Sequence, residues 1–194
     1  METIVSEKKQ RILEAAARLF RDKGYSATSM RDLAGAVNLK ASSLYNHISS
    51  KEEILQEICL ANARRFHEGM KRIQELPEDK PLARLEALLK LHIRIATQDV
   101  TSVTSFNDEW RHLSEPHLSQ FLEMRRAYES FFRKVIREGT QQGIFRSADE
   151  SVVLYALISS LRWLYDWYQP GKRLAPTDLE EQLIPLLTRG ILIG

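Results

Sequence analysis

Residues 26–55, SATSMRDLAGAVNLKASSLYNHISSKEEIL, hold two short amphipathic helix patterns joined by a three-residue turn, and the second is small, hydroxyl-rich and basic. The first begins at Ser29, whose hydroxyl can cap an orphan backbone amide while Asp32 reaches back, the S-x-x-D capping arrangement. Met30, Leu33, Ala34 and Val37 then recur at helical spacing and predict one buried stripe. The pattern breaks at Val37-Asn38-Leu39, and asparagine is the non-glycine residue best suited to the left-handed backbone of a tight helix-to-helix turn. From Lys40 to Ile48 a second helix is expected to bury Leu44 and Ile48 and to present Lys40, Ala41, Ser42, Ser43, Tyr45 and His47 elsewhere. Small residues at the start of a helix let its end approach base edges in a major groove, with serine hydroxyls and a lysine as hydrogen-bonding groups. Ser50-Lys51-Glu52-Glu53 is a second capping box, so a further helix begins there with free amides that favour a phosphate.

Upstream, Ile12, Leu13, Ala16, Leu19 and Phe20 form an apolar face on a helix expected to start near Ser6 and to stop at Lys23-Gly24. Three helices of this kind can bury one small core. Charge agrees with a nucleic-acid-facing head: residues 1–51 hold nine Lys and Arg against five Asp and Glu, whereas the remainder holds 19 against 21. The overall charge of +2 conceals that asymmetry.

Gly24-Tyr25, Ala27-Thr28, Arg31-Asp32-Leu33-Ala34, Ser43-Leu44-Tyr45-Asn46-His47 and Ser50-Lys51-Glu52 resemble the DNA-binding domain of TetR-family transcriptional regulators. The resemblance covers about the first quarter of the chain. It implies a homodimer in which each N-terminal helix-turn-helix enters the major groove of an operator, while a larger C-terminal helical domain binds a small molecule and dimerises. Asn38 stands where the family usually has glycine, and Lys40 where a small capping residue is common. Carried over by matched position, Thr28, Ser29, Tyr45, His47 and Lys51 are candidates for phosphate contacts, and Lys40, Ala41, Ser42 and Ser43 for base edges. The expected architecture is all-α, with a helix-turn-helix bundle at 1–51 and a ligand-binding and dimerisation domain at 52–194.

Past Lys51 the chain reads as helices throughout. Ile54, Leu55, Ile58, Ala61 and Phe66 continue a long helix; Leu82, Leu85, Leu88, Leu89, His92 and Ile95 mark another that ends before Thr101-Ser102. Aromatic residues then fall in helical stripes: Phe106, Trp110 and Leu113, then Phe121, Arg125, Tyr128, Phe132 and Val135 on a helix that Gly139 and Gly143 are expected to close. From Ser151 two stripes run side by side, one of Leu157, Leu161, Leu164 and Tyr168 and one of Ala156, Ser160, Trp163 and Trp167; one is expected to face a partner subunit and the other a cavity. Each aromatic taken alone reads as core. Together, three tryptophans and several tyrosines suit the lining of a pocket, because each carries a polar atom that needs a partner when buried. The last helices, with Leu179, Leu183, Leu186 and Leu187, are the expected dimer surface, with a bend at Pro185.

Phe106 to Arg111, Arg125-Arg126-x-Tyr128-Glu129 and Trp163-x-Tyr165-x-Trp167-Tyr168-x-Pro170-Gly171 are similar to the C-terminal domains of TetR-family repressors that sense acyl-CoA thioesters. That similarity implies a tunnel for an apolar acyl chain with arginines at its mouth. Phe106, Trp110, Arg125, Arg126, Tyr128, Phe132, Arg162, Trp163 and Trp167 are the candidate effector residues. Guanidinium groups suit CoA phosphates, but each arginine can equally pair with a neighbouring carboxylate such as Glu129 or Asp166.

The chain has no G-x-S-x-G elbow, no G-x-G-x-x-G, no phosphate loop ending in G-K-[ST] and no H-E-x-x-H, so the usual catalytic signatures are absent and no cofactor is expected. Glu109, His112, Glu115 and His117 could coordinate a metal by spacing, yet read better as solvated charges around a proline turn. Cys59 is the only cysteine, which fits a reducing cytoplasm and a packing role. No run approaches the roughly 20 apolar residues that span a bilayer. A ligand-responsive repressor accounts for both the basic head and the aromatic body; a non-sequence-specific architectural DNA binder accounts only for the head, and an enzyme only for the cavity.

Overall fold

The protein is described by a computed structural model over residues 7–193. Ten α-helices follow one another among these residues: α1 (Glu7–Lys23), α2 (Met30–Ala36), α3 (Ala41–Leu44), α4 (Lys51–Gln74), α5 (Pro81–Gln98), α6 (Val100–Glu109), α7 (His117–Gln141), α8 (Glu150–Arg162), α9 (Leu164–Trp167) and α10 (Pro176–Arg189). A 3-10 turn, Trp110–His112, follows α6. No β-strand occurs among the described residues; the one extended pairing is an isolated antiparallel bridge between Phe145 and Leu192. The expected helix start near Ser6 lies outside the described residues.

Local chemistry sets the helix boundaries at the N-terminal end. The Ser29 Oγ accepts from the Asp32 N–H, and the Asp32 carboxylate accepts from the Ser29 N–H, closing the capping box of α2. Asn38 adopts φ 55°, the left-handed conformation that the turn between α2 and α3 requires. The second helix is shorter than its sequence pattern implies: α3 ends at Leu44, and a turn carries the chain through His47. At α4 the Ser50 Oγ accepts from the Glu53 N–H, while the Glu53 carboxylate reaches one residue further back, to the Ser49 N–H and hydroxyl.

The chain divides into two compact units. One comprises the described residues up to Ala63 together with Thr101–Leu122; the other comprises Arg64–Val100 and the described residues from Glu123 onward. This division by packing differs from the 1–51 and 52–194 division by function read from the sequence, because α6 packs with the head. In the first unit α2 lies against α1 and α3. Ile12, Ala16 and Phe20 of α1, Leu33 of α2 and Leu44 of α3 are buried, as are Ile48 and the start of α4 at Ile54 and Leu55. Each large apolar side chain so buried contributes about 1.5–3 kcal/mol. Leu13, Leu19 and Ala61, assigned to buried stripes by their spacing, are half-buried or exposed.

In the second unit α5 lies against α8, α9 and α10. Arg84 of α5 is almost wholly buried, where it donates to the Glu138 carboxylate at 2.8 Å and sits 5.0 Å from the Phe131 ring centre. Gly139 does not close α7, which runs two residues further; Gly143, at φ +68°, follows the helix end. Gly139 is required by packing instead, since a Cβ built there would overlap the ring of Phe145, itself 2% exposed. Helix propensity alone favours alanine over glycine by about 1 kcal/mol. Overpacking a rigid ring costs about 1–3 kcal/mol. Gly139→Ala is therefore expected to lower stability in urea titration; a gain would show that Phe145 moves aside freely.

Candidate DNA interface and effector residues

The first turn of α3 stands outward from a buried floor. Leu44 and Ile48 are fully buried, while Lys40, Ala41 and Ser42 are exposed and Ser43 is half-buried. Lys40 occupies the N-cap without a side-chain capping bond, since an ammonium has no lone pair to accept from the free amides of α3. Tyr45 is 53% exposed and His47 half-buried on the following turn. Ser29 is exposed, but its hydroxyl donates to the Asp32 carboxylate at 2.6 Å. Those Ser29 bonds, with Lys23 nearby, hold the Asp32 carboxyl down at about 2, so this cap stays intact across the physiological range.

Two of the expected phosphate contacts turn inward. Thr28 is 2% exposed and its hydroxyl donates to the Gly24 carbonyl at 2.8 Å, which leaves no outward hydroxyl. The Lys51 ammonium donates to the Tyr25 carbonyl at 2.7 Å and the Thr28 carbonyl at 2.8 Å, and lies 4.3 Å from the centre of the Tyr25 ring. Lys51 thus pins the loop ahead of α2. An alanine there would loosen that loop as well as remove a charge.

The same loop is clamped from a distant part of the chain. The Tyr25 N–H donates to the Glu109 carboxylate at 2.9 Å, and the Tyr25 ring stacks on His112 with centres 5.0 Å apart. Burial, with the charges of Glu52 and Glu109, raises the Tyr25 phenol above its usual range. Along α6 the Ser105 hydroxyl donates to the Ala17 carbonyl at 3.0 Å, and Arg21 donates to the Thr101 hydroxyl at 3.1 Å. Glu109 and His112 therefore tie α6 to the head, and no group of three His, Cys, Asp or Glu able to hold a metal occurs among the described residues. Cys59 is buried, and burial with the Glu109 charge pushes its thiol up to about 12, the state of an inert packing residue.

The expected effector residues are divided between the two units. Phe106 and Trp110 lie in the first unit, each against Phe121 with ring centres 5.4 Å and 5.5 Å apart. Tyr128 and Phe132 lie buried in the second unit. Arg125 takes the carboxylate partner, donating to Glu129 at 3.0 Å; Arg126 and Arg162 are exposed. Trp163 and Trp167 are 66% and 47% exposed on the protomer. α8 ends at Arg162 and α9 restarts at Leu164, and the apolar stripe that turns inward is that of Leu157, Leu161, Leu164 and Tyr168.

His92 was legible only as one position of an apolar stripe. It is 7% exposed, packs against Phe66 and Tyr128, and burial lowers its imidazole to about 4. The neutral ring is the folded form. Because the unfolded histidine titrates near 6.5, the unfolded chain binds more protons between those values, and stability falls as pH drops from 6.5 towards 4. Between pH 7 and pH 5 the loss due to this one group is roughly 2 kcal/mol. Urea titrations at one protein concentration check it: His92→Phe is expected to remove that part of the acid sensitivity, and an unchanged pH slope would refute the assignment.

A short exposed helix on a buried floor, reached through a tight turn from a capped helix, defines a helix-turn-helix DNA-binding protein. The family described as bacterial regulatory proteins of the tetR family matches residues 12–58, and the tetracyclin repressor-like C-terminal domain matches residues 78–191. The chain belongs to the TetR family of transcriptional regulators. It is 27% identical to the HTH-type transcriptional repressor KstR2 of Mycobacterium tuberculosis over 96% of this chain and 94% of that one. The structure of that ketosteroid transcriptional regulator matches with a TM-score of 0.89, at 26% identity, over 98% of this chain and 97% of the other. PfmR from Thermus thermophilus is 31% identical with a TM-score of 0.77, over 92% of this chain and 97% of its own. AibR, solved in complex with isovaleryl coenzyme A and operator DNA, is 28% identical with a TM-score of 0.77, over 93% of this chain and 97% of its own. No helix among the described residues is long and apolar enough to cross a membrane.

Proposed function

We propose that this protein is a cytoplasmic, ligand-responsive repressor that binds a pseudo-palindromic operator as a homodimer and leaves it when a small apolar or acyl-CoA-type effector occupies the second unit. The observation that carries the DNA half is the exposed first turn of α3, Lys40 to Ser43, above the buried Leu44 and Ile48. Lys40, Ala41, Ser42 and Ser43 read base edges and Tyr45 and His47 meet phosphates, whereas the donors of Ser29 are spent on the Asp32 carboxylate. Two such helices one duplex turn apart, roughly 34–36 Å, require a dimer. The outer faces of α8 and α10 support one, since Val152, Tyr155 and Leu186, with Trp163 just past the end of α8, are large apolar side chains left exposed on the protomer.

The effector half is supported by the buried aromatic residues Tyr128 and Phe132, and by the isovaleryl coenzyme A that AibR binds. Arg126 and Arg162 supply guanidinium groups for CoA phosphates. For release, the effector must favour the non-binding state by a coupling of about 1–3 kcal/mol or more. Fluorescence anisotropy on selected against random duplexes, at two salt concentrations, tests the first half, and titration of isovaleryl-CoA and longer acyl-CoA thioesters into the complex tests the second. Sequence preference of at least about 1,000-fold, lost on adding thioester, is the expected result. Equal affinity for random DNA would make this an architectural DNA binder. Retention of the complex at saturating thioester would remove acyl-CoA as effector.

A further inference from the structure

Inside the second unit the rings of His67, His92 and Tyr128 each carry a buried polar atom with no hydrogen-bond partner, and the last two adjoin. His92 on α5 and Tyr128 on α7 are more than nine-tenths buried, and neither the His92 Nε2 nor the Tyr128 hydroxyl makes a hydrogen bond. They adjoin each other: their ring centres are 5.4 Å apart, and Phe66 closes a triangle at 4.8 Å from His92 and 5.6 Å from Tyr128. Phe132 flanks Tyr128 at 6.2 Å. Native proteins leave few buried polar groups unpaired, because each forfeits its hydration without return. Two on adjoining rings, among apolar neighbours, mark a place where a third group belongs.

The chemistry of that group follows from the residues. Burial keeps the imidazole uncharged and raises the phenol well above its ordinary value, so at neutral pH the pair offers two neutral groups and no countercharge. A carboxylate or an ammonium would arrive unpaired. A phenol donates, and a neutral imidazole can donate from Nε2 in one tautomer. A carbonyl oxygen, with two lone pairs, can accept from both while its apolar substituents pack on the rings. Resting on the reading that the second unit holds the effector, we propose that His92 and Tyr128 are its polar anchor, and that they select an otherwise apolar ligand bearing an uncharged carbonyl, as in a ketone or a thioester.

The test uses the full-length protein and a matched pair of probes, 2-undecanone and undecane, by calorimetric titration. Wild type should bind the ketone about tenfold more tightly, the value of one net hydrogen bond or slightly more. Tyr128→Phe and His92→Phe should each shrink that preference without lowering the melting temperature, since each deletes an orphan group. The infrared carbonyl band of the bound ketone should lie below its frequency in hexane and move back up in the double variant. Equal affinity of wild type for ketone and hydrocarbon, or a bound carbonyl at its hexane frequency, overturns the anchor while leaving the effector reading intact; this is also the outcome if ordered water alone satisfies the two atoms. Binding of neither probe overturns the anchor for apolar carbonyl ligands, and the effector reading is then decided separately by the thioester titration.

Discussion

Ala41→Glu is expected to weaken binding to the selected operator by at least about 100-fold while leaving the melting curve unchanged. Like charges brought together at an interface cost several kcal/mol, and each 1.4 kcal/mol is a factor of ten. Ala41 is the first residue of α3 and exposed, so the carboxylate needs no space inside the protein. Acidic residues in the first turn of a helix interact favourably with its dipole, so the local fold is if anything supported. The cost therefore falls on the complex, where a carboxylate would stand between the helix end and the groove. Ala41→Ser adds a hydroxyl without charge and should change affinity by less than tenfold. Anisotropy titrations of both variants, with thermal melts alongside, decide the matter. Wild-type affinity for Ala41→Glu would mean that the groove is read by some other surface.

What could be read from the sequence was what neighbouring residues decide. The Ser29–Asp32 cap and the left-handed Asn38 follow from contacts within a few residues, so spacing was sufficient to foresee them. The role of Glu109 was hidden, because its partner Tyr25 lies 84 residues away and a carboxylate beside a proline turn reads as surface. Lys51 shows the intermediate case: its position at the start of α4 was legible, but not that its donors are spent on carbonyls of the loop before α2. Gly139 read as a helix stop because the sequence does not disclose the ring of Phe145 beside it.

The tryptophans carry a more general lesson. Periodicity separates two faces of a helix but cannot say what covers each, and a face meant for another copy of the chain carries the same apolar residues as one meant for the interior. Trp163 and Trp167 read as pocket lining by spacing and are exposed on the protomer, whereas the stripe that is buried runs through Leu157, Leu161 and Leu164. His92, buried as its place in the stripe implies, shows a different limit. A single histidine in an apolar stripe passes as packing, and only the missing partner of its Nε2 distinguishes it.

If the outer faces of α8 and α10 hold two protomers together, Leu186→Glu should give a monomer at micromolar concentration. Leu186 is 66% exposed on the protomer, as are Val152 and Trp163, so a carboxylate there costs the isolated fold little. In a symmetric pairing the same substitution appears twice, and each carboxylate buried without a counter-ion costs about 3–5 kcal/mol. Even one such cost raises the dissociation constant of the dimer by more than about 100-fold. The consequence for DNA is indirect but large. Two half-sites held by one dimer gain about 100- to 10,000-fold through effective concentration, and a monomer forfeits that gain although its α3 is untouched. Leu179→Glu provides the contrast: Leu179 is 2% exposed, so that variant should lose helical circular dichroism instead. Sedimentation velocity and operator titration of Leu186→Glu should change together. A persistent dimer would mean that the protomers meet through a different face, and a monomer with wild-type operator affinity would mean that pairing is not what positions the two recognition helices.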